Sequence, residues 1–114
     1  MSLKLKQNDT APFARATLYS DMNASTVLNL TTATAVKFNM KPKSGGSPKV
    51  SGAAAVKTNS PGTDGKVHYV WLAADTNQVG TFDCEFEVTW GDGTKQTFPP
   101  DGYLSVEIVA EINT

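Results

Sequence analysis

GTFDCEFEVTWGDGTKQTFPPDGY, residues Gly80–Tyr103, alternates strictly along its first half. Phe82, Cys84, Phe86, Val88 and Trp90 fall on one face of an extended chain, and Thr81, Asp83, Glu85, Glu87 and Thr89 on the other. That period of two is what a half-buried strand needs, one row toward a core and the other toward water. Asp92-Gly93 suits a tight turn that requires positive φ, Gly91 gives it room, and the chain returns through Lys95–Phe98 to an aromatic-Pro-Pro-Asp-Gly corner. The class is all-β.

Outward from this hairpin the same pattern recurs in shorter pieces. Leu3 and Leu5 alternate with Lys4 and Lys6 in a first edge strand. Ala14, Ala16 and Leu18 form an inward row of small residues before a turn at Ser20–Asn23, and Val36, Phe38 and Met40 alternate with Lys37 and Asn39. Val50–Val56 reads as a weak strand between two Gly/Ser/Pro loops, Lys43–Lys49 and Thr58–Gly65. Val67, Tyr69 and Trp71 oppose His68, Val70 and Leu72, a segment apolar enough on both faces to be a covered central strand. Ala73–Gln78 reads as a turn or short helical loop, and Leu104–Ile112 as a long final strand. Short strands about ten residues apart, with turn signals between them, predict one domain over 1–114. The expected architecture is an Ig-like antiparallel β-sandwich of about seven to nine strands, a small open β-barrel being the alternative. The Cys…Trp…Cys signature of such sandwiches is missing, so Trp71 is expected to pack on aliphatic residues.

The chain has 114 residues with ten basic and eleven acidic side chains, a formal charge of −1. Such a balance gives no electrostatic footprint for nucleic acid or an anionic membrane. No stretch reaches signal-peptide length or the roughly twenty apolar residues of a membrane span, so a soluble cytoplasmic product is expected.

Chemistry has few places to reside. His68 is the only histidine and Cys84 the only cysteine. Cys84 shares its face with Phe82 and Phe86, beside the acids Asp83 and Glu85, which disfavour a thiolate, so it reads as a small buried hydrophobe. His68 has no sequence-visible partner for a zinc site or a triad. Asp92 and Asp101 fall far short of the oxygens calcium needs, and Gly45-Gly46 lacks the lysine and helix of a phosphate loop. No catalytic, cofactor-binding or metal-binding residue is expected. The row Asp83, Glu85, Glu87 is either a solvated strand face paired with lysines, Lys95 among them, or a docking stripe. Tyr69, Trp71, Phe98 and Tyr103 read as core, and a carbohydrate platform built from them is the minor reading.

Ordered segments carry a resemblance across nearly the whole chain. Lys6–Pro12 with Arg15–Leu18, Leu30–Met40, Gly65–Trp71 with Asp75-Thr76, Gly80–Phe82 with Glu85-Phe86, and Asp92-Gly93 through Thr97–Pro99 to Gly102-Tyr103 follow one another in sequence. In this they resemble the N-terminal Ig-like domain of phage baseplate upper proteins and related short phage tail proteins. Thr32 stands where a glycine is usual and Pro100 where a polar residue is commoner. The resemblance implies a non-catalytic structural or adaptor protein of a tailed bacteriophage virion, in the tail, baseplate, connector or capsid surface. It would be made in the bacterial cytoplasm and docked against other virion proteins in symmetric multi-copy assembly, without cofactor, nucleic acid or membrane. The alternative function is a carbohydrate-binding module for the host surface. Candidate contacts are Phe13, Tyr19, Asp83, Glu85 and Glu87, with the two loops and the terminal strands.

Overall fold

The structure is a computed structural model and describes residues 2–20, 26–99 and 102–112. Asp21–Asn23 of the expected turn, and Pro100 and Asp101 of the corner, lie outside the described residues. The strands are β1 (Ser2–Lys6), β2 (Ala14–Thr17), β3 (Ala33–Pro42), β4 (Val50–Ala54), β5 (Val56–Lys57), β6 (Lys66–Tyr69), β7 (Gly80–Trp90), β8 (Lys95–Phe98) and β9 (Leu104–Val109), with one 3-10 turn at Ala73–Asp75.

The long alternating strand organises the larger sheet, whose order is β1-β9-β7-β3-β4. β3 runs along one edge of β7 from Phe82 to Trp90. On the other edge β9 pairs with Gly80–Cys84 and β8 with Phe86–Thr89. The smaller sheet has the order β2-β6-β5. Packed face to face, the two sheets form an all-β sandwich, with no closed barrel among the described residues. The strand after the Lys43–Lys49 loop serves both sheets: β4 pairs with β3, Ala55 donates its N–H to Val36 O (2.8 Å), and β5 then pairs with β6. Small residues permit that crossing because they ask for little cover on either side.

The core is the set of inward rows. Phe38 and Met40 of β3, Phe82, Cys84, Phe86 and Val88 of β7, and Val106 and Ile108 of β9 meet Ala14, Leu18, Val67, Tyr69 and Trp71 from the smaller sheet and its extensions. Phe38 is the hub. Its ring stacks on Tyr69 (centroids 4.7 Å apart, 13° between planes), takes Trp71 edge-on at 5.6 Å and lies 5.1 Å from Phe86.

At several points the structure corrects the expectations. Not every pairing is antiparallel: β1 lies parallel to β9, from Ser2 opposite Ser105 to Lys6 opposite Val109. A parallel pair needs a long crossover, and here it is nearly the whole chain. Trp71 packs on the aromatic rings of Phe38 and Tyr69, which the sequence reading did not anticipate, and its Nε1–H donates to Pro12 O (2.9 Å). The last strand stops at Val109, where β1 ends beside it, and Ile112 is exposed. β6 is central within its sheet, but among the described residues its outward side is left uncovered just past the strand end, where Val70 and Leu72 stand exposed.

The segment after β6 is fastened to the segment after β1. Tyr69 Oη donates to Asp75 Oδ2 (2.7 Å), which also accepts the Leu72 N–H (2.9 Å). Thr76 is fully buried, its hydroxyl donating to Asp9 O (2.8 Å) while its carbonyl accepts the Asn8 N–H (2.9 Å). Buried polar groups are tolerated when satisfied in this way, and they fix where two irregular segments lie.

At the other end of the sandwich, the β7–β8 hairpin closes through Gly93 N–H to Trp90 O (2.9 Å) and Trp90 N–H to Thr94 O (2.8 Å), with Gly93 at φ 89°. Asp92 Oδ1 accepts both the hydroxyl (2.7 Å) and the N–H (3.0 Å) of Thr94, which holds its carboxyl below the ordinary range.

Candidate interaction surfaces

The two residues on which nucleophilic catalysis would rest do not converge. Cys84 faces the core from the larger sheet at 1% exposure, and burial, followed by the charge of Asp83, pushes its thiol up to about 12. His68 lies on the outward face of the smaller sheet, its Nδ1 2.8 Å from Thr58 Oγ1 and its ring stacked on Phe13 (centroids 5.4 Å apart). Among the described residues no group of three or more His, Cys, Asp or Glu side chains is placed to hold a metal ion. No helix among them is long and apolar enough to cross a membrane.

The buried thiol has a consequence for stability. Its folded pKa lies above its unfolded value, so its contribution is intact below pH 9 and is lost as pH rises toward 12. Tyr69 acts in the same direction, raised by burial and then by its hydrogen bond to Asp75. From pH 8 to pH 10, the Cys84 contribution alone is expected to lower unfolding free energy by about 1.4 kcal/mol. Urea midpoints at the two pH values measure the loss, and Cys84→Ala is expected to show a smaller one.

The candidate contacts fall on opposite sides of the sandwich. Asp83, Glu85 and Glu87 lie on the outward face of the larger sheet, directly across from Lys41, Asn39 and Lys37 of β3. Lys43 Nζ approaches Asp83 Oδ1 at 3.6 Å. The expected partner Lys95 is corrected: it stands opposite Thr89, because the turn sets the register so that Glu87 meets Thr97. A row of acids beside a row of lysines is a solvated, nearly neutral face, and each such pair contributes about 0.2–1 kcal/mol at most. Tyr19 is half-buried and bridges to Val27.

Phe13 belongs to a different surface. On the outward face of the smaller sheet, His68 stands between Arg15 of β2 and Val56 of β5, with Phe13 stacked on its ring. Val70 and Leu72 continue the row. Phe13 is 36% exposed, Val56 48%, Val70 47% and Leu72 65%. Exposed apolar residues grouped on β5 and on the segments next to β2 and β6 differ from singly scattered ones, which need no explanation. The reading of β6 as covered on both sides took the right signal, apolar residues on both faces, but among the described residues nothing supplies the second cover.

No protein-family model, curated protein or solved structure matches this chain.

Of the four aromatics read as core, Tyr69, Trp71 and Phe98 are buried, whereas Tyr103 is 55% exposed. It precedes β9, where the alternation that fixes its neighbours has not yet begun. The four therefore share no platform.

Proposed function

We propose that this chain is a non-catalytic structural or adaptor module of a tailed-phage virion, docking through the outer face of its three-stranded sheet onto another virion protein. The observation that carries the docking is the set Phe13, Val56, Val70 and Leu72, exposed on β5 and on the segments that flank β2 and β6, with Phe13 and Val56 beside His68. An apolar centre edged by polar groups, here Arg15, Thr17, Lys66 and Thr58, is the anatomy of a protein interface. The virion assignment is supported by the ordered segments that resemble the N-terminal domain of baseplate upper proteins. Those segments coincide with residues that determine this architecture: Gly65–Trp71 forms β6 and its aromatics, Asp75-Thr76 the buried fastening, and Asp92-Gly93 the hairpin turn.

The test is incorporation. Leu72 is exposed, so Leu72→Glu is expected to fold normally yet to enter purified particles at least about tenfold less than the unsubstituted chain, as a central apolar contact would. Glu87→Gln, on the opposite face, is expected to enter normally. Equal incorporation of Leu72→Glu and the unsubstituted chain would remove this face from the assembly.

A further inference from the structure

The outer face of the larger sheet carries a groove of about 350 Å³ that the docking row does not use. Its floor is the outward row of β3 and β7, Asn39 and Lys41 beside Asp83 and Glu85. Tyr103 and Pro48 complete its lining. Pro48 is held in place by the next residue, whose N–H (Lys49) donates to Met40 O at 2.7 Å.

The polar groups here are mixed in kind, and two of them, Asn39 and Asp83, are held by neighbours. Asn39 Oδ1 accepts the Gly52 N–H at 2.7 Å, which leaves the amide NH₂ to serve a ligand as donor. Glu85, across from Asn39, has no lysine opposite it in the β3 register. Asp83 is shared with Lys43 at 3.6 Å. Within the lining two carboxylates are thus set against Lys41, and Lys43, from outside the groove, offsets the charge of Asp83. A cationic ligand would meet the ammonium groups and an anionic one the carboxylates, so neither charge has a net advantage. A neutral ligand with several hydroxyls finds acceptors in Glu85 and Asp83, donors in Lys41 and Asn39, and in the exposed Tyr103 an aromatic side chain for its C–H surface. Convergent polar groups beside an aromatic wall, in a volume near the lower end of ligand pockets, make a small-ligand site.

We propose that this groove binds a neutral sugar residue. The binding is independent of the docking row, which lies on the other side of the sandwich, so either can fail without the other.

The full chain is applied to an array of immobilised neutral, sialylated and sulfated glycans, with an oligolysine peptide as a cationic probe. The strongest neutral glycan is then titrated in solution by saturation-transfer NMR. Neutral glycans are expected to bind, with affinity falling about tenfold in Tyr103→Ala and in Glu85→Ala, and staying within about twofold in Tyr103→Phe and Phe13→Ala. Tyr103 is exposed, and an unchanged urea midpoint for Tyr103→Ala confirms that the loss is one of contact. The proposal is overturned if no neutral glycan binds below roughly 10 mM, if only charged glycans or oligolysine bind, or if Tyr103→Ala and Glu85→Ala bind as well as the unsubstituted chain.

Discussion

Phe38→Ala is expected to lower the free energy of unfolding by about 4 kcal/mol, the range for truncating a fully buried phenylalanine. Phe38 is where the sheets meet: it comes from β3 and touches Phe86 on its own sheet and Tyr69 and Trp71 from the facing one. Its removal therefore takes away transfer energy and opens a cavity lined by rings that are anchored elsewhere. Trp71 is held to Pro12 O and Tyr69 to Asp75 Oδ2, so neither is free to collapse into the space. Against the roughly 5–15 kcal/mol that holds an ordinary domain folded, that loss is large enough to populate unfolded chain at 37 °C. Urea denaturation measures it. Phe38→Leu is expected to cost about half as much, and a loss below about 1 kcal/mol for Phe38→Ala would show that the sheets are not held through this ring.

Gly65→Ala is expected to be nearly as damaging, at about 3 kcal/mol or more, for a reason confined to the backbone. Gly65 has φ +71°, and a Cβ built there would lie 2.6 Å from Leu18 O and 2.9 Å from Leu28 O. Neither oxygen can yield cheaply. Leu18 donates its N–H to Gly65 O (2.8 Å) and accepts that of Leu28 (2.8 Å), so the three segments are pinned together. Gly52 supplies the control. It has a similar φ of +63° with nothing within 4 Å of the built Cβ, so Gly52→Ala carries the conformational cost alone, about 1 kcal/mol. The difference between the two alanine variants, read from urea curves with equal slopes, isolates the clash. Equal losses would mean that Gly65 is needed only for its φ.

Where the sequence was informative, one physical condition held: a strand with one wet and one dry face writes a period of two. β7, β3 and the inward row of β2 obey it, and Cys84 could be placed in the core from its neighbours alone. The β4–β5 crossing between sheets is written in Gly52 and a run of alanines that carry almost no facial preference, so only a weak strand was visible there. The parallel seating of β1 on β9 joins the two ends of the chain, a relation that local pattern does not encode.

The candidate surfaces follow the same division. That Asp83, Glu85 and Glu87 point outward was legible, whereas their partners depended on register, which the turn sets and periodicity does not. Leu72 and Val70 were visible as apolar residues on a second face. Whether such a face is covered by the same chain or by another is a question of topology. Tyr103 lies just outside any alternating run, so its exposure was not predictable from spacing, and it is the residue that gives the outer groove its aromatic side.

The central claim is that this sandwich is a building part of a particle. Quantitative mass spectrometry of phage particles purified from cells in which this chain is made tests it directly. On that proposal the chain is present at a fixed copy number relative to the particle's structural proteins, unchanged by high-salt washing, because the proposed docking surface is apolar and salt screens only its charged rim. Its absence from particles, or its removal by the wash, would contradict the account.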